Sequence, residues 1–333
     1  MSRIAVLIAA LIGVGAHASE PVTVDNVVRA ETDTAIRTQL QVTGGAFGKL
    51  QHIRQPVSVK EQKVIRTNRD TLYSGLILDL SEPVKITLPE IGGRYMSMHV
   101  IDQDHYMFVE SAPGDYELTQ EGVGTRFAIV IMRTFMDPND QQDIKTANAA
   151  QDAIKVSGGG EGPFEAPDWD QESLLKARSA LNELATLGFS TTYAFGRKDD
   201  VRPVDHLVGA AAGWGGMPNY AADYIMASVD NTDGVTPFAV TVKDVPVGGF
   251  WSITVYNADG YLEDSEGGVN SYNNVTAAPN EDNSYTIHFG NCDDGRINCI
   301  PITAGWNYAV RMYQPSKDIL EGDWVFPSPA PVQ

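Results

Sequence analysis

Residues 72–135 break into short apolar runs cut by proline and glycine, and this texture constrains the fold more than any other feature of the chain. The runs are residues 72–80, 84–88, 95–101, 107–110, 116–119 and 127–135, with Pro83, Pro89, Gly92, Gly93, Pro113, Gly114 and Gly122 between them. Such spacing predicts antiparallel strands layered as a sandwich. A second series, residues 220–229, 238–242, 250–256, 285–289 and 306–313, predicts another. Between them, residues 139–155, 171–187 and 203–212 read as helical, the second with Leu174, Leu175, Ala177, Leu181 and Leu184 at helical spacing. The sequence thus predicts a mainly β protein with a helical insert. Its first sandwich covers residues 68–137, the helical part 138–215 and the second sandwich 216–333. Residues 19–67 hold one amphipathic helix, residues 25–40 behind a capping-type Asp25, then extended chain packed over the first domain.

The two series share a pattern. LPEIGGRYMSMHVID (88–102) and VPVGGFWSITVYN (245–257) both run from Pro through Gly-Gly, an aromatic and a Ser to a Val two residues before Asp or Asn. IVIMRTF (129–135) and YAVRMY (308–313) each carry one Arg two residues before an aromatic. Two copies of one architectural plan would explain this, and chance likeness between strand-rich segments is the competing explanation.

Charge and targeting narrow the function. With 24 basic against 43 acidic side chains and a formal charge of -19, the chain repels polyanions, and no basic patch offsets this, so nucleic acid is excluded as a partner. Arg3, an apolar run at residues 4–14 and Ala16-His17-Ala18 form a signal peptide with cleavage after Ala18, which places the mature protein in the periplasm or outside the cell. No later stretch is apolar enough to insert in a membrane. The two cysteines, Cys292 and Cys299, flank an Asp-Gly turn and read as a local disulfide in an oxidising compartment. A metal pair is the alternative, though no nearby His or second CxxC completes a site.

Several of these residues resemble a known family. NRDTLYSGLILDL (68–80) with LPEIGGRYMSMHVID is similar to the bacterial domain of unknown function 1254. GGFWSITVYNADGYL (248–262), NSYN (270–273), NCIP (298–301) and AVRMYQP (309–315) are similar to domain of unknown function 1214. The resemblance spans nearly the whole mature chain and implies an immunoglobulin-like first sandwich, a helical part and a jelly-roll-like second sandwich. Where relatives show Asn-Trp-Leu-Pro, this chain has Asn298-Cys299-Ile300-Pro301, so a disulfide replaces a packed indole. Some relatives carry a hydrolase or carboxylesterase label, and the resemblance supplies no established activity.

Standard catalytic motifs are missing: no G-x-S-x-G, H-E-x-x-H, P-loop or dinucleotide fingerprint is present. The densest polar cluster is Asn68, Arg69, Asp70 and Tyr73 at a strand entrance, where Arg69 could fork a carboxylate, Asp70 act as base and Tyr73 donate a hydrogen bond. Turn capping and mutual pairing are the alternative. His105, in the loop with Asp102 and Asp104, is the candidate proton carrier, against an exposed turn histidine without a role. His99 and Asp102 fall on opposite faces of their strand and do not converge on a metal. Arg133 and Arg311 interrupt apolar strands and each requires a carboxylate or a ligand anion, with Asp70 or Asp102 expected beside Arg133. Arg94 is a further anion stabiliser. Tyr256, Asn257, Asn270, Tyr272 and Asn273 form an amide and aromatic set suited to sugars, or equally to hairpin turns. The acidic loops at residues 230–234 and 280–283 lack EF-hand spacing and read as solvated surface, and no cofactor is called for.

Three functions fit. The leading one is an exported protein that binds, and in one version hydrolyses, a small polar substrate in a cleft of its two sandwiches. That enzyme would be metal-independent and esterase-like, with Asp70 or His105 moving the proton. The others are a non-catalytic module for a glycan or envelope component and a structural envelope protein.

Overall fold

The computed structural model describes residues 19–264 and 269–332, so the expected signal peptide lies outside the described residues. The first half contains helix α1 (Val27–Thr43), strands β1 (Gln51–His52), β2 (Thr71–Asp79), β3 (Val84–Leu88), β4 (Met96–Asp102), β5 (Met107–Glu110) and β6 (Gly114–Leu118), a short α2 (Gln120–Val123), β7 (Phe127–Phe135), α3 (Gln141–Asp152) and β8 (Lys155–Gly158). Helices α4 (Gln171–Ala185) and α5 (Pro203–Ala212) lead to β9 (Ala222–Ala227), β10 (Phe238–Val242), β11 (Trp251–Tyr256), β12 (Ser271–Asn273), β13 (Tyr285–Phe289), β14 (Cys299–Ile300), β15 (Asn307–Tyr313), α6 (Lys317–Glu321) and β16 (Ala330–Pro331).

These strands form four sheets of order β1-β2-β7-β4-β5, β6-β3-β8, β14-β13-β10-β16 and β12-β11-β15-β9, antiparallel throughout except for the parallel β13–β14 pair. Alternation decides how they stack. Leu76, Leu78, Met98, Val100, Val130 and Met132 leave one face of the five-stranded sheet and share a buried cluster with Val84, Ile86 and Leu88 of β3. Ile77, Ile101 and Ile129 leave the other face and meet Ile36 and Leu40 of α1 with Phe195. The fold is therefore mixed α and β, with helices on the second face of the first large sheet. In the second half one cluster, including Val240, Ile253, Ile287, Trp306 and Val310, is shared by both four-stranded sheets.

Three expectations change. β8 lies inside the stretch read as helical and pairs with β3, and β1 pairs with β2, so the first sheet unit reaches beyond residues 68–137 on both sides. Helix α1 starts two residues later than expected, with Asn26 at its N-cap and no side-chain cap, and runs on to Gly44, whose φ of 69° only glycine adopts freely. Residues 43–67 do not only cover the first domain: Gln62 Nε2 donates to the Leu262 carbonyl at 2.8 Å and the Arg66 amide to the Gly260 carbonyl at 2.8 Å, which ties this segment to the second half.

Cys292 and Cys299 are disulfide-bonded. Beside the bridge Asn298 clamps two segments, accepting from the Ala278 amide at 2.8 Å and donating to the Ala278 and Thr286 carbonyls. No helix among the described residues is long and apolar enough to cross a membrane.

Candidate functional site

The strand-entrance cluster sits at the junction of the two halves. Asn68 Nδ2 donates to Thr71 Oγ1 and Tyr313 Oη, both at 3.0 Å, and to Tyr73 Oη at 3.4 Å, while its Oδ1 accepts from the Asp70 amide at 2.8 Å. Arg69 Nη1 donates to Asn270 Oδ1 at 2.9 Å. Asp70 is fully buried, and its Oδ1 accepts from Ser271 Oγ at 3.0 Å and Asn273 Nδ2 at 3.3 Å, while Oδ2 has no partner. Across the junction Arg311 donates to Thr254 Oγ1, the Arg66 carbonyl and Tyr256 Oη, and Tyr256 Oη donates to the Thr67 carbonyl at 2.9 Å. Asn68, Arg69, Asp70, Tyr256, Asn270 and Arg311, singled out from different parts of the sequence, are thus gathered into one buried network. Three bonds join members of this set directly, Asn68 with the Asp70 amide, Arg69 with Asn270 and Arg311 with Tyr256, and the rest are to neighbouring groups of the protein.

Arg133 departs from expectation. Neither Asp70 nor Asp102 pairs with it; its Nη1 lies 3.4 Å from His99 Nδ1 and its guanidinium 5.4 Å from the Tyr73 ring centroid. Burial opposes its charge, but phenols, Tyr73 foremost, outweigh this and hold its pKa above the ordinary value. His99 is kept neutral, well below its ordinary pKa, by burial and then by Arg133. Burial also opposes a phenolate on Tyr73, yet Arg133, the hydrogen bonds with Asn68 and Thr71, and then Arg311 bring its pKa below that of a free phenol.

The two arginines occupy equivalent places. In the first half Tyr73, Arg133 and Ser97 lie side by side across β2, β7 and β4. In the second, Tyr224, Arg311 and Ser252 lie side by side across β9, β15 and β11. The next aromatics correspond as well: the Phe135 amide donates to the Tyr95 carbonyl at 2.9 Å, and the Tyr313 amide to the Phe250 carbonyl at 2.8 Å. These four rings meet at the junction, Phe135 with Phe250 at 4.8 Å and Tyr95 with Tyr313 at 5.1 Å between centroids. Such reciprocal contacts, i with j and j with i, are those of a two-fold interface. The repeat read in the sequence therefore extends to strand pairing, and its two copies face each other.

Other candidates stand apart. Arg94 is held by Asp143 and donates to the Phe135 carbonyl at 2.7 Å. His105 is not an exposed turn residue: it is fully buried at φ 63°, its Nε2 accepts from the Gly215 amide at 2.9 Å, and Phe195, His206 and Trp214 enclose it. Burial, then His206, lowers its pKa to about 3, which keeps it neutral at physiological pH. Asp102 ends β4 and accepts from the Asp104 and Tyr106 amides at 2.8 and 2.9 Å. Burial raises it to about 7, beside a pocket of about 270 Å³ shared with Arg197 and Glu121. Asn257 shapes its own turn through the Tyr261 and Asp259 amides, and Tyr272 packs on the second core.

One apolar concavity was not foreseen. A groove of about 500 Å³ runs along the five-stranded sheet, lined mainly by Ala35, Val42, Ile53, Ile129, Ile131 and Trp214 and reaching Tyr73. It lies over Gly75, where an added Cβ would meet nothing closer than the Val130 carbonyl at 3.7 Å. A glycine inside an otherwise bulky strand, LYSGLIL, was the available signal. Among the described residues no group of three or more His, Cys, Asp or Glu could hold a metal.

Two family profiles match the chain, both described as protein of unknown function: DUF1254 over residues 47–158 and DUF1214 over residues 221–317. Among solved structures the chain is similar to the VPA0106 protein from Vibrio parahaemolyticus, with a TM-score of 0.71 at 18% identity over 93% of this chain and 100% of that one. It is also similar to an uncharacterized protein from Burkholderia cenocepacia, with a TM-score of 0.52 at 14% identity over 93% and 88% of the two chains. At these identities the likeness concerns the fold alone. No curated protein matches.

Proposed function

This chain belongs to the bacterial two-domain family that joins DUF1254 to DUF1214, and from that premise we propose that it is an exported binding protein for a small molecule with an apolar body. The observation that carries this reading is the groove over Gly75. Its volume of about 500 Å³ falls in the range of small-molecule sites, and its lining is mainly apolar with five polar side chains, Gln39, Gln51, His52, Tyr73 and Ser74. We read the layered sheets as an immunoglobulin-like and a jelly-roll-like sandwich, and the first eighteen residues as the export signal. Asp70 and His105 are assigned structural roles, because a proton carrier must reach its substrate and both are sealed from solvent.

The test uses the neutral, environment-sensitive dye N-phenyl-1-naphthylamine. Saturable fluorescence enhancement is expected with the mature protein, and its loss is expected in Gly75→Val, whose Cβ would meet nothing closer than the Val130 carbonyl at 3.7 Å and whose melting temperature should stay within a few degrees of the parent. Enhancement of equal strength in both proteins, or in neither, would remove the groove from consideration. A hydrolytic reading has one observation in its favour, the near-neutral carboxyl of Asp102 beside a pocket. It requires turnover that Asp102→Asn abolishes.

A further inference from the structure

We propose that the groove's ligand is an organic acid, and that its carboxylate is received at the junction of the two halves by the face that Arg133 and Arg311 form. This rests on the groove being the binding site and names the class of molecule it takes.

Charge is the first argument. Arg133 and Arg311 are 8% and 3% exposed, and a buried guanidinium is costly without a counter-charge. Asp70 acts on Arg311, whereas the side chains that raise the Arg133 pKa against burial are the phenols of Tyr73, Tyr224, Tyr313 and Tyr95, and no carboxylate stands among them. Tyr73, Tyr224 and Tyr313 are within electrostatic reach of both arginines, so the two charges bear on one locus. Asn68 fixes its size, since a single amide nitrogen bonds the hydroxyls of Tyr73 and Tyr313.

Unused hydrogen-bonding capacity is the second argument. Ser252 Oγ, fully buried and directly across from Arg311, has no hydrogen-bond partner among the described residues. Its counterpart Ser97, buried and across from Arg133, likewise has no hydrogen-bond partner for its Oγ among the described residues. Two hydroxyl donors flanking two guanidiniums match the acceptor-only demand of a carboxylate. Position is the third argument: Tyr73 and Ile131 line the groove, and Arg133 follows Ile131 on the same face of β7, against the Tyr73 ring.

The experiment compares 2-naphthoate with its neutral isostere 2-naphthamide by isothermal titration of the mature protein at pH 7.5 and low chloride. Naphthoate is expected to bind at least about tenfold more tightly, the scale of one charge-assisted hydrogen bond. Gly75→Val should weaken both ligands, whereas Arg133→Met should erase only the preference for the acid. If Arg133→Met does not fold, the parent comparison decides alone. Equal affinity for acid and amide would overturn the proposal while leaving the groove intact, with ionised Tyr73 supplying the counter-charge instead. Acetate and naphthoate binding alike, with no response to Gly75→Val, would instead sink the groove and keep the anion locus. Absence of any heat from naphthoate overturns the proposal outright.

Discussion

Replacing Asp102 by asparagine should stabilise the protein at alkaline pH and do little in acid. The carboxyl is 3% exposed, and Gly124 lies so close above it that a Cβ there would come within 2.6 Å of Asp102 Oδ2. Two backbone amides favour the ionised form, but burial outweighs them and raises the pKa from 3.8 to about 7. The folded state thus holds a proton that the unfolded chain releases near pH 4. Stability from this group is complete below the unfolded value and is lost as pH rises through about 7, because the native state binds more protons over that window. At about 1.4 kcal/mol per pKa unit, the shift sets a ceiling of roughly 4 kcal/mol. Asparagine keeps an acceptor for the Asp104 and Tyr106 amides and carries no charge. Urea unfolding at pH 5 and pH 8 should therefore show the parent losing stability between the two while Asp102→Asn loses about 2–3 kcal/mol less, the part of the shift that lies above pH 5. The same pH dependence in both proteins would refute the reasoning.

The opposite sign is expected at Asp79, where the Arg126 hydrogen bonds outweigh burial and lower the pKa from 3.8 to about 2. Its contribution, roughly 2 kcal/mol by the same conversion, is present above about pH 4 and disappears as pH falls through about 2, so Asp79→Asn should unfold more readily in urea at pH 7 and converge with the parent in acid titrations. Reducing the Cys292–Cys299 bridge, whose partners are seven residues apart, should cost about 2–3 kcal/mol, seen as a lower melting temperature in dithiothreitol that the Cys292→Ser, Cys299→Ser double variant does not show.

Elements were legible where an apolar run is bounded by proline, glycine or charge. β3, β5, β7, β10, β13 and α5 occupy the expected residues, since each carries its apolar pattern locally. β8 was not legible: Lys-Val-Ser-Gly has no alternation and becomes a strand only because β3 offers a free edge. The site residues divide in the same way. The polarity of the Asn68 to Tyr73 cluster is visible in the sequence, but its partners Ser271, Asn273 and Tyr313 arrive some two hundred residues later. His105 reads as a loop residue because its neighbours Phe195, His206 and Trp214 come from the helical insert. A carboxylate was expected beside Arg133 on charge grounds alone, and tyrosines from both halves stand there instead. Gly75 carried its signal openly as a missing side chain.

The reciprocal ring contacts at the junction have a consequence for how the molecule is divided. Each half presents a surface already complementary to a near copy of itself, aromatic Tyr95 and Phe135 on one side, Phe250 and Tyr313 on the other. Severed from its mate, either half would leave an apolar patch and a desolvated guanidinium seeking cover, and the nearest cover of the right shape is a second molecule of the same fragment. The covalent linkage through residues 136–221 therefore acts as a chaperone against self-pairing, holding unlike halves together at a local concentration that stray like halves cannot match.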